Sequence, residues 1–116
     1  MKSKYQEVAE RYFELSNESD FDGIAKFLTD RTTYSSQNTG IYFGSDNIIA
    51  MQKPFHAKFK YLNWQIDQIQ ELKPGIIQMD YTFEAELPDG QKIESEGTET
   101  VVVSGGQILH IEIRNR

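Results

Sequence analysis

One acidic residue falls among apolar residues at the spacing of a β-strand. In the stretch EGTETVVV, which runs from Glu96 to Val103, alternate side chains share a face, so Glu99 lies with Val101 and Val103. Burial there would raise the pKa of the carboxyl group and favour its protonated form, which can donate a hydrogen bond. Two interpretations have equal weight: a pocket acid, or a glutamate that reaches solvent or a tyrosine hydroxyl and does nothing else.

Two glycine-containing turns, PDG and SGG, predict which residues surround Glu99. If each is a three-residue loop with a left-handed glycine, counting from the turns gives the cross-strand pairs. The expected pairs are Leu87 with Gln91, Val103 with Gln107, Met79 and Ile111 on either side of Glu99, Tyr81 and Ile113 on either side of Gly97, and Phe83 with Ser95. Ser95 and Gly97 add little bulk to this face, which predicts a cavity above it.

The elements that position this face are helices followed by long strands. Apolar residues recur at helical spacing after capping signals near residues 3, 19–20 and 45–46, which predicts three helices, and RTTYSS predicts a short strand after the second. Pro54 lies inside the third helix, where a kink or an early end is expected. From Tyr61 onward the period changes to two, and the turns KPG, PDG and SGG separate four long strands.

This order predicts an α+β fold in which three N-terminal helices pack on a curved, mostly antiparallel sheet and form a cone. A length of 116 residues predicts a single domain spanning residues 1–116. The chain has no cysteine, and its two histidines, His56 and His110, lack metal-ligand spacing, so no disulfide or metal site is expected.

Charge and hydropathy limit the partners. The net charge of −6 opposes contacts with phosphate groups, so no nucleic-acid partner is expected. The N-terminal stretch MKSKYQEVAERY lacks the apolar core of a signal peptide, and no apolar run approaches the roughly 20 residues that cross a bilayer. The expected protein therefore has no membrane partner and is cytoplasmic.

The order of elements resembles the nuclear transport factor 2-like superfamily, a cone of curved sheet closed by three helices. The superfamily includes ketosteroid isomerases, limonene epoxide hydrolases, scytalone dehydratases and SnoaL-like polyketide cyclases. The most specific part of the resemblance is RYFELSNESDFDGIAKFLTD, where D-x-D-G-I-x-x-x-L is close to the ketosteroid isomerase pattern. This motif is structural, so it supports the fold more than the chemistry. Pockets in the superfamily lie between the helices and the concave face and usually hold small, largely apolar molecules.

The resemblance also implies roles for individual residues. Tyr12 matches the isomerase tyrosine that donates a hydrogen bond to the developing oxyanion, and Glu99 matches the protonated aspartic acid that donates the second. Ser36 falls where those isomerases hold the aspartate that moves the proton, and a serine cannot replace it. Asp30 and Asp67 are the substitutes available, although the pattern places neither clearly on the inner side. Ketosteroid isomerisation in its familiar form is therefore not expected.

The predicted function is binding of a small, largely apolar ligand, with Tyr12 and Glu99 as catalytic candidates. An enzyme of this kind would be an isomerase, dehydratase or cyclase that polarises a carbonyl group without a metal or organic cofactor. The residues expected to line the pocket are Tyr34, Ser36, Phe55, Trp64, Met79, Tyr81, Phe83, Gly97 and Ile111. The aromatic residues among them could equally fill the cone. The alternative is a non-catalytic module that binds a ligand without turnover or holds a protein partner.

The outer face of the sheet is the expected site of assembly, since members of the superfamily often dimerise there. The residues predicted for this face are Thr82, Glu84, Glu94, Glu96, Thr98, Thr100, His110 and Arg114. So polar a surface predicts a homodimer with a wet, modest interface in which Arg114 offsets the acids.

Overall fold

In a computed structural model that describes residues 2–116, the chain forms three helices and six strands. The helices are α1 (Lys4–Glu18), α2 (Phe21–Phe27) and α3 (Ser45–Ala57). The strands are β1 (Thr33–Ser36), β2 (Gly40–Phe43), β3 (Tyr61–Lys73), β4 (Ile76–Glu86), β5 (Lys92–Ser104) and β6 (Gln107–Asn115). The predicted α+β class and the four long C-terminal strands are confirmed.

The helices are not all N-terminal to the strands, so that part of the prediction is wrong. The hairpin of β1 and β2 stands between α2 and α3, and β2 has no counterpart among the predicted elements. This short strand is held by tertiary contacts, because the ring of Tyr42 packs 6.2 Å from that of Tyr34 on β1. Helix α3 does not end at Pro54 but continues to Ala57, and packing of Phe55 and His56 holds its last turn.

The six strands form one open, curved sheet in the order β2-β1-β6-β5-β4-β3. Neighbouring strands are antiparallel except for β1 and β6, which run parallel. Three residues have no cross-strand partner and form β-bulges: Asp67 and Leu72 on β3, and Leu109 on β6. Bulges increase the local twist, so they contribute to the curvature that leaves a concave face toward the helices.

The register around Glu99 agrees with the prediction on one side only. Toward β4, Glu99 lies opposite Met79 and Gly97 opposite Tyr81, as expected. Toward β6, Glu99 lies opposite Ile113, whereas the counting placed Ile111 there. The remaining differences on that side are the pairs Val101 with Ile111, Gly97 with Asn115, and Val103 with Ile108.

Two local features cause this difference. The SGG turn is a two-residue loop, with Ser104 opposite Gln107 and with Gly105 and Gly106 both at positive φ (59° and 76°). The bulge at Leu109 then displaces β6 by a second residue. Since each one-residue slip exchanges the faces of a strand, two slips restore them, and Ile111 and Ile113 keep the inner face of β6, opposite Val101 and Glu99.

The concave face and the helices share one hydrophobic core. Its fully buried large side chains are Ile24 of α2, Ile48 of α3, Ile77 and Met79 of β4, Val101 of β5, and Ile108 and Ile111 of β6. A buried hydroxyl reinforces this packing, because Thr32 Oγ1 donates a 2.7 Å hydrogen bond to the carbonyl oxygen of Ile108. Across residues 2–116, no helix has both the length and the apolarity needed to cross a membrane.

The turn between β3 and β4 generates a prediction about stability. Gly75 has a φ of 88°, and a Cβ atom there would lie 2.6 Å from the carbonyl oxygen of Val103. Gly90 has a similar φ of 92°, but a Cβ atom there would meet nothing within 4 Å. We expect Gly90→Ala to cost about 1–2 kcal/mol from backbone strain alone, and Gly75→Ala to cost about 1–3 kcal/mol more from the clash.

Urea unfolding of both variants measures this difference in the free energy of unfolding. Because the two glycines share the same backbone strain, Gly90→Ala is the matched control. Equal losses in the two variants would show that the close approach of Val103 to Gly75 is not a constraint.

Candidate functional site

A cavity of about 480 Å³ lies between the concave face of the sheet and helices α1 and α3. This volume is in the range of pockets that hold small organic molecules. Eight of the residues singled out in the sequence line it: Tyr12, Tyr34, Ser36, Phe55, Trp64, Tyr81, Phe83 and Glu99. The aromatic side chains therefore form walls and do not fill the interior.

Three residues expected in the lining lie elsewhere. Met79 and Ile111 are fully buried in the core and do not reach the cavity. Gly97 is covered by the ring of Tyr81, because a Cβ atom on Gly97 would lie 2.6 Å from Cζ of that ring. The lack of a side chain at Gly97 thus makes room for the ring of Tyr81, and Gly97 itself does not line the cavity.

The aromatic wall is built from α3, β3 and β4. The ring centroids of Trp64 and Phe83 are 4.7 Å apart, and that of Phe55 lies 6.1 Å from Phe83. Asn17 of α1 ties the edge strand β3 to this wall. Its side chain donates to the carbonyl oxygen of Trp64 at 3.0 Å and accepts from the amide of Trp64 at 2.7 Å. The wall is therefore positioned by a helix and an edge strand that are far apart in sequence.

Glu99 is the one acidic side chain within residues 2–116 that is buried, with 4% of its surface exposed. Its carboxyl group makes no hydrogen bond and no ion pair with the described residues, although it borders the cavity. Burial raises its pKa from 4.5 to about 8. At neutral pH this acid is mostly protonated and can donate a hydrogen bond into the cavity.

Three tyrosines surround this acid. Burial raises the pKa of Tyr12 and Tyr34 well above the ordinary value, and the nearby charge of Glu99 raises both further. The same two causes, with an opposing effect of Arg116, raise the pKa of Tyr81 to about 12. The three hydroxyl groups therefore stay protonated at neutral pH, and the neighbourhood of Glu99 is rich in donors.

Two buried polar residues of α3, Gln52 and His56, also line the cavity, and the sequence reading did not single them out as site residues. Nε2 of Gln52 donates a 2.9 Å hydrogen bond to the hydroxyl oxygen of Tyr12, which leaves the hydroxyl proton of Tyr12 free for another acceptor. The available signal was helical spacing, because both residues follow the fully buried Ile48 at intervals of four.

The residues considered as proton carriers are not equivalent in the structure. Ser36 is buried at the edge of the cavity, where its hydroxyl oxygen accepts the amide proton of Asn38 at 3.1 Å. Asp30 is exposed, and Asp67 stands on a bulge of β3. Asp67 accepts a 2.7 Å hydrogen bond from Thr82 and pairs with Arg116 at 3.6 Å. Neither aspartate lines the cavity.

No set of three or more histidine and acidic side chains within residues 2–116 is arranged to hold a metal ion. The chemistry that this arrangement offers is hydrogen-bond donation. A neutral carboxyl group and several tyrosine hydroxyls face a largely apolar space, and such donors stabilise negative charge that develops on a ligand oxygen.

The burial of Glu99 predicts a pH dependence of stability. The folded protein holds this proton up to about pH 8, whereas the unfolded chain releases it near pH 4.5, so stability falls as the pH rises between these values. Since a difference of one in pKa corresponds to about 1.4 kcal/mol, we expect the wild type to lose about 2–4 kcal/mol relative to Glu99→Gln between pH 5 and pH 8.5.

Urea unfolding of both proteins at the two pH values tests this expectation. Burial lowers the pKa of His56 to about 4, so its contribution rises with pH up to about 6.5, but it is common to both proteins and cancels in the comparison. Glu94→Gln, which changes an exposed acid, should retain the wild-type dependence. A constant difference between wild type and Glu99→Gln would mean that Glu99 is ionised throughout.

The contact between Gly97 and Tyr81 predicts a coupled effect. Gly97→Ala should cost about 1–3 kcal/mol because the new methyl group overlaps the tyrosine ring. In a Tyr81→Ala background the same substitution should cost less, and chemical unfolding of the four proteins gives the coupling. Additive losses would show that the ring of Tyr81 does not depend on the glycine.

The fold is shared with solved structures of low sequence identity. A candidate SnoaL-like polyketide cyclase from Shewanella putrefaciens CN-32 superposes with a TM-score of 0.85 and 13% identity, over 97% of this chain and 90% of that one. A nuclear transport factor 2-like protein of unknown function from Burkholderia pseudomallei K96243 gives 0.86 and 14%, over 99% and 92%. TerC, solved with polyporic acid, gives 0.84 and 12%, over 98% and 92%.

Sequence comparison gives the family. No curated protein sequence matches the chain significantly. The model of the SnoaL-like domain family, however, matches residues 9–111. The match begins within α1, ends within β6 and includes Glu99, so the chain belongs to the SnoaL-like domain family.

Proposed function

We propose that this protein binds a small, largely apolar carbonyl or phenol compound in the cavity, with the ligand oxygen held by Glu99 and Tyr12. The observation that carries the proposal is the buried carboxyl group of Glu99, which borders a cavity of about 480 Å³ and has no partner within residues 2–116. A ligand in the cavity that supplied an acceptor would give this protonated group a hydrogen-bond partner.

The surroundings of Glu99 favour a neutral ligand oxygen or one with developing negative charge. A hydrogen bond from Gln52 satisfies an acceptor site of the Tyr12 oxygen and leaves its proton available. The protonated Glu99 supplies a second donor. Two donors on one oxygen polarise a carbonyl group, and in a site shielded from water such donors stabilise an enolate more strongly than they stabilise the ketone.

The rest of the lining supports a flat, apolar body for the ligand. Trp64, Phe83 and Phe55 present aromatic surfaces on one side of the cavity. Aromatic walls bury the faces of planar molecules and leave orientation to a few polar groups. TerC, a protein with this fold, was co-crystallised with polyporic acid, which is consistent with ligand binding here.

An enzyme built on these groups would be an isomerase, dehydratase or cyclase. Binding without turnover is the second candidate function, and the specific observation in its favour is Ser36. A serine stands where ketosteroid isomerases hold their base, and Asp30 and Asp67 do not line the cavity. Both functions require the same ligand contacts, so ligand binding is the property to test first.

Calorimetric titration of the protein with 2-naphthol at pH 6.5 tests the proposed site. We expect saturable binding by the wild type, and Tyr12→Phe and Glu99→Ala should each weaken it by about 1–3 kcal/mol, because each removes a buried hydrogen bond. Tyr5→Phe and Glu94→Gln, which change an exposed tyrosine and an exposed acid, are the matched controls and should bind as the wild type does. Equal affinity in all five proteins would place Tyr12 and Glu99 outside the binding site.

A further inference from the structure

His56 occupies a position that the proposed binding site does not yet use. It lies on α3 with 8% of its surface exposed, and it lines the same cavity as Glu99. Its ring packs against Phe21 at 4.9 Å and Trp64 at 5.3 Å between centroids. No acidic side chain within residues 2–116 pairs with the imidazole, and burial lowers its pKa to about 4, so the ring is neutral at pH 7.

One ring nitrogen of His56 is held by a residue in an unusual conformation. Nδ1 lies 2.9 Å from Oγ of Ser19. Ser19 ends helix α1 with φ 53° and ψ 38°, and it is the one non-glycine residue at positive φ within residues 2–116. Glycine is the residue usually found in that conformation, and strained positions of this kind are concentrated at functional sites. Serine adds a hydroxyl group that glycine would not provide.

The contact with Ser19 is compatible with a proton on Nδ1. The hydroxyl of Ser19 can accept from Nδ1 or donate to it, and the negative end of the helix dipole at the C-terminus of α1 favours a donor that points toward it. In that tautomer Nδ1 carries the proton and Nε2 has a lone pair. Nε2 has no hydrogen-bond partner within residues 2–116, so it is free to accept from a ligand.

His56 is a neighbour of the residue that holds Tyr12. Gln52, which donates to Tyr12, precedes His56 by one helical turn on the same face of α3, about 6 Å along the helix axis. We propose that Nε2 of His56 accepts the proton that a carbonyl ligand loses while Glu99 and Tyr12 hold its oxygen. The inference rests on the proposed function and supplies the proton acceptor that Ser36 cannot provide.

The proposed step is a balanced proton transfer. The C–H bond next to the carbonyl group breaks, its proton moves to Nε2, and its electron pair forms an enolate whose oxygen accepts hydrogen bonds from Glu99 and Tyr12. The imidazolium then returns the proton to another carbon of the ligand, which isomerises it, or to a leaving hydroxyl group, which dehydrates it. The charges created are opposite, so the imidazolium and the enolate attract each other.

The role can be tested without knowledge of the natural substrate. NMR measures how fast the α-hydrogens of 2-tetralone exchange for deuterium in D₂O. Quenching of Trp64, the only tryptophan, measures affinity for the same probe. We expect the wild type to bind 2-tetralone and accelerate its exchange. His56→Gln should keep the affinity within about threefold and lower the exchange rate at least about 100-fold, as expected for loss of a positioned base. The control, His110→Gln, removes a histidine outside the cavity and should change neither.

The outcomes separate this inference from the proposed function. Saturable binding without exchange in the wild type, or equal exchange in wild type and His56→Gln, would overturn the role of His56 and leave ligand binding intact. Absence of binding by the wild type would remove both. If His56→Gln does not fold, Ser19→Ala provides the test, because it leaves the sequence of α3 unchanged. It should slow exchange about tenfold if the hydrogen bond orients the ring, and an unchanged rate would contradict the proposal.

The tautomer provides a readout independent of activity. The ¹⁵N resonances of the imidazole in wild-type protein at pH 7 should show a protonated Nδ1 and a bare Nε2. A proton on Nε2 would overturn the inference, because that nitrogen could then only donate. In Ser19→Ala the resonances should shift toward a mixture of both tautomers.

Discussion

The concave face of the long sheet has to be covered, and the three helices cover only part of it. Strands β4 to β6 present a row of apolar residues, from Ile77 and Met79 to Ile111, which share one core with Ala9 of α1, Ile24 of α2 and Ile48 of α3. Toward Phe83 and Trp64 the helices and the curved sheet diverge and enclose about 480 Å³. The cavity is thus a consequence of laying straight helices on a curved, bulged sheet. The same arrangement buries Glu99, Gln52 and His56 in its lining.

Burial of Glu99 is the electrostatic consequence of this arrangement that changes a charge near neutral pH. A buried carboxyl group is usually paired with a cation or hydrogen-bonded, because its charge is otherwise too costly to desolvate. Here the described residues provide neither, so the group remains protonated, and its pKa rises to about 8. The three neighbouring tyrosines are held protonated in the same way. A site with neutral donors favours a ligand by the acceptor strength of its oxygen.

The two sides of the cavity differ in chemistry. The sheet contributes Glu99 with Tyr34 and Tyr81, while α3 contributes Gln52 and His56. Gln52 of α3 donates a hydrogen bond to Tyr12 of α1, and Ser19 at the end of α1 forms a hydrogen bond with His56 of α3. Helices α1 and α3 therefore orient each other's polar groups through two hydrogen bonds. The donors and the proposed proton acceptor are held by packed elements, and rigid support of this kind is what positioned catalysis requires.

The sequence by itself determined the class of fold, the four long strands and the inner position of Glu99, because all three depend on local periodicity and on turn residues. The PDG turn also predicted the pairing of β4 with β5, but only the tertiary structure decided the neighbours of Glu99 on β6 and on the helices. The bulge at Leu109 and the shorter SGG turn moved Ile113 to the side of Glu99, and the ring of Tyr81 took the space above Gly97. Strand β2 is held in place by antiparallel pairing with β1. Gln52 and His56 carry polar side chains at core spacing, and periodicity alone cannot distinguish a buried polar residue from an exposed one on a helix whose apolar stripe is wide. That distinction is made by partners distant in sequence, Tyr12 and Ser19, whose positions result from packing of the whole chain.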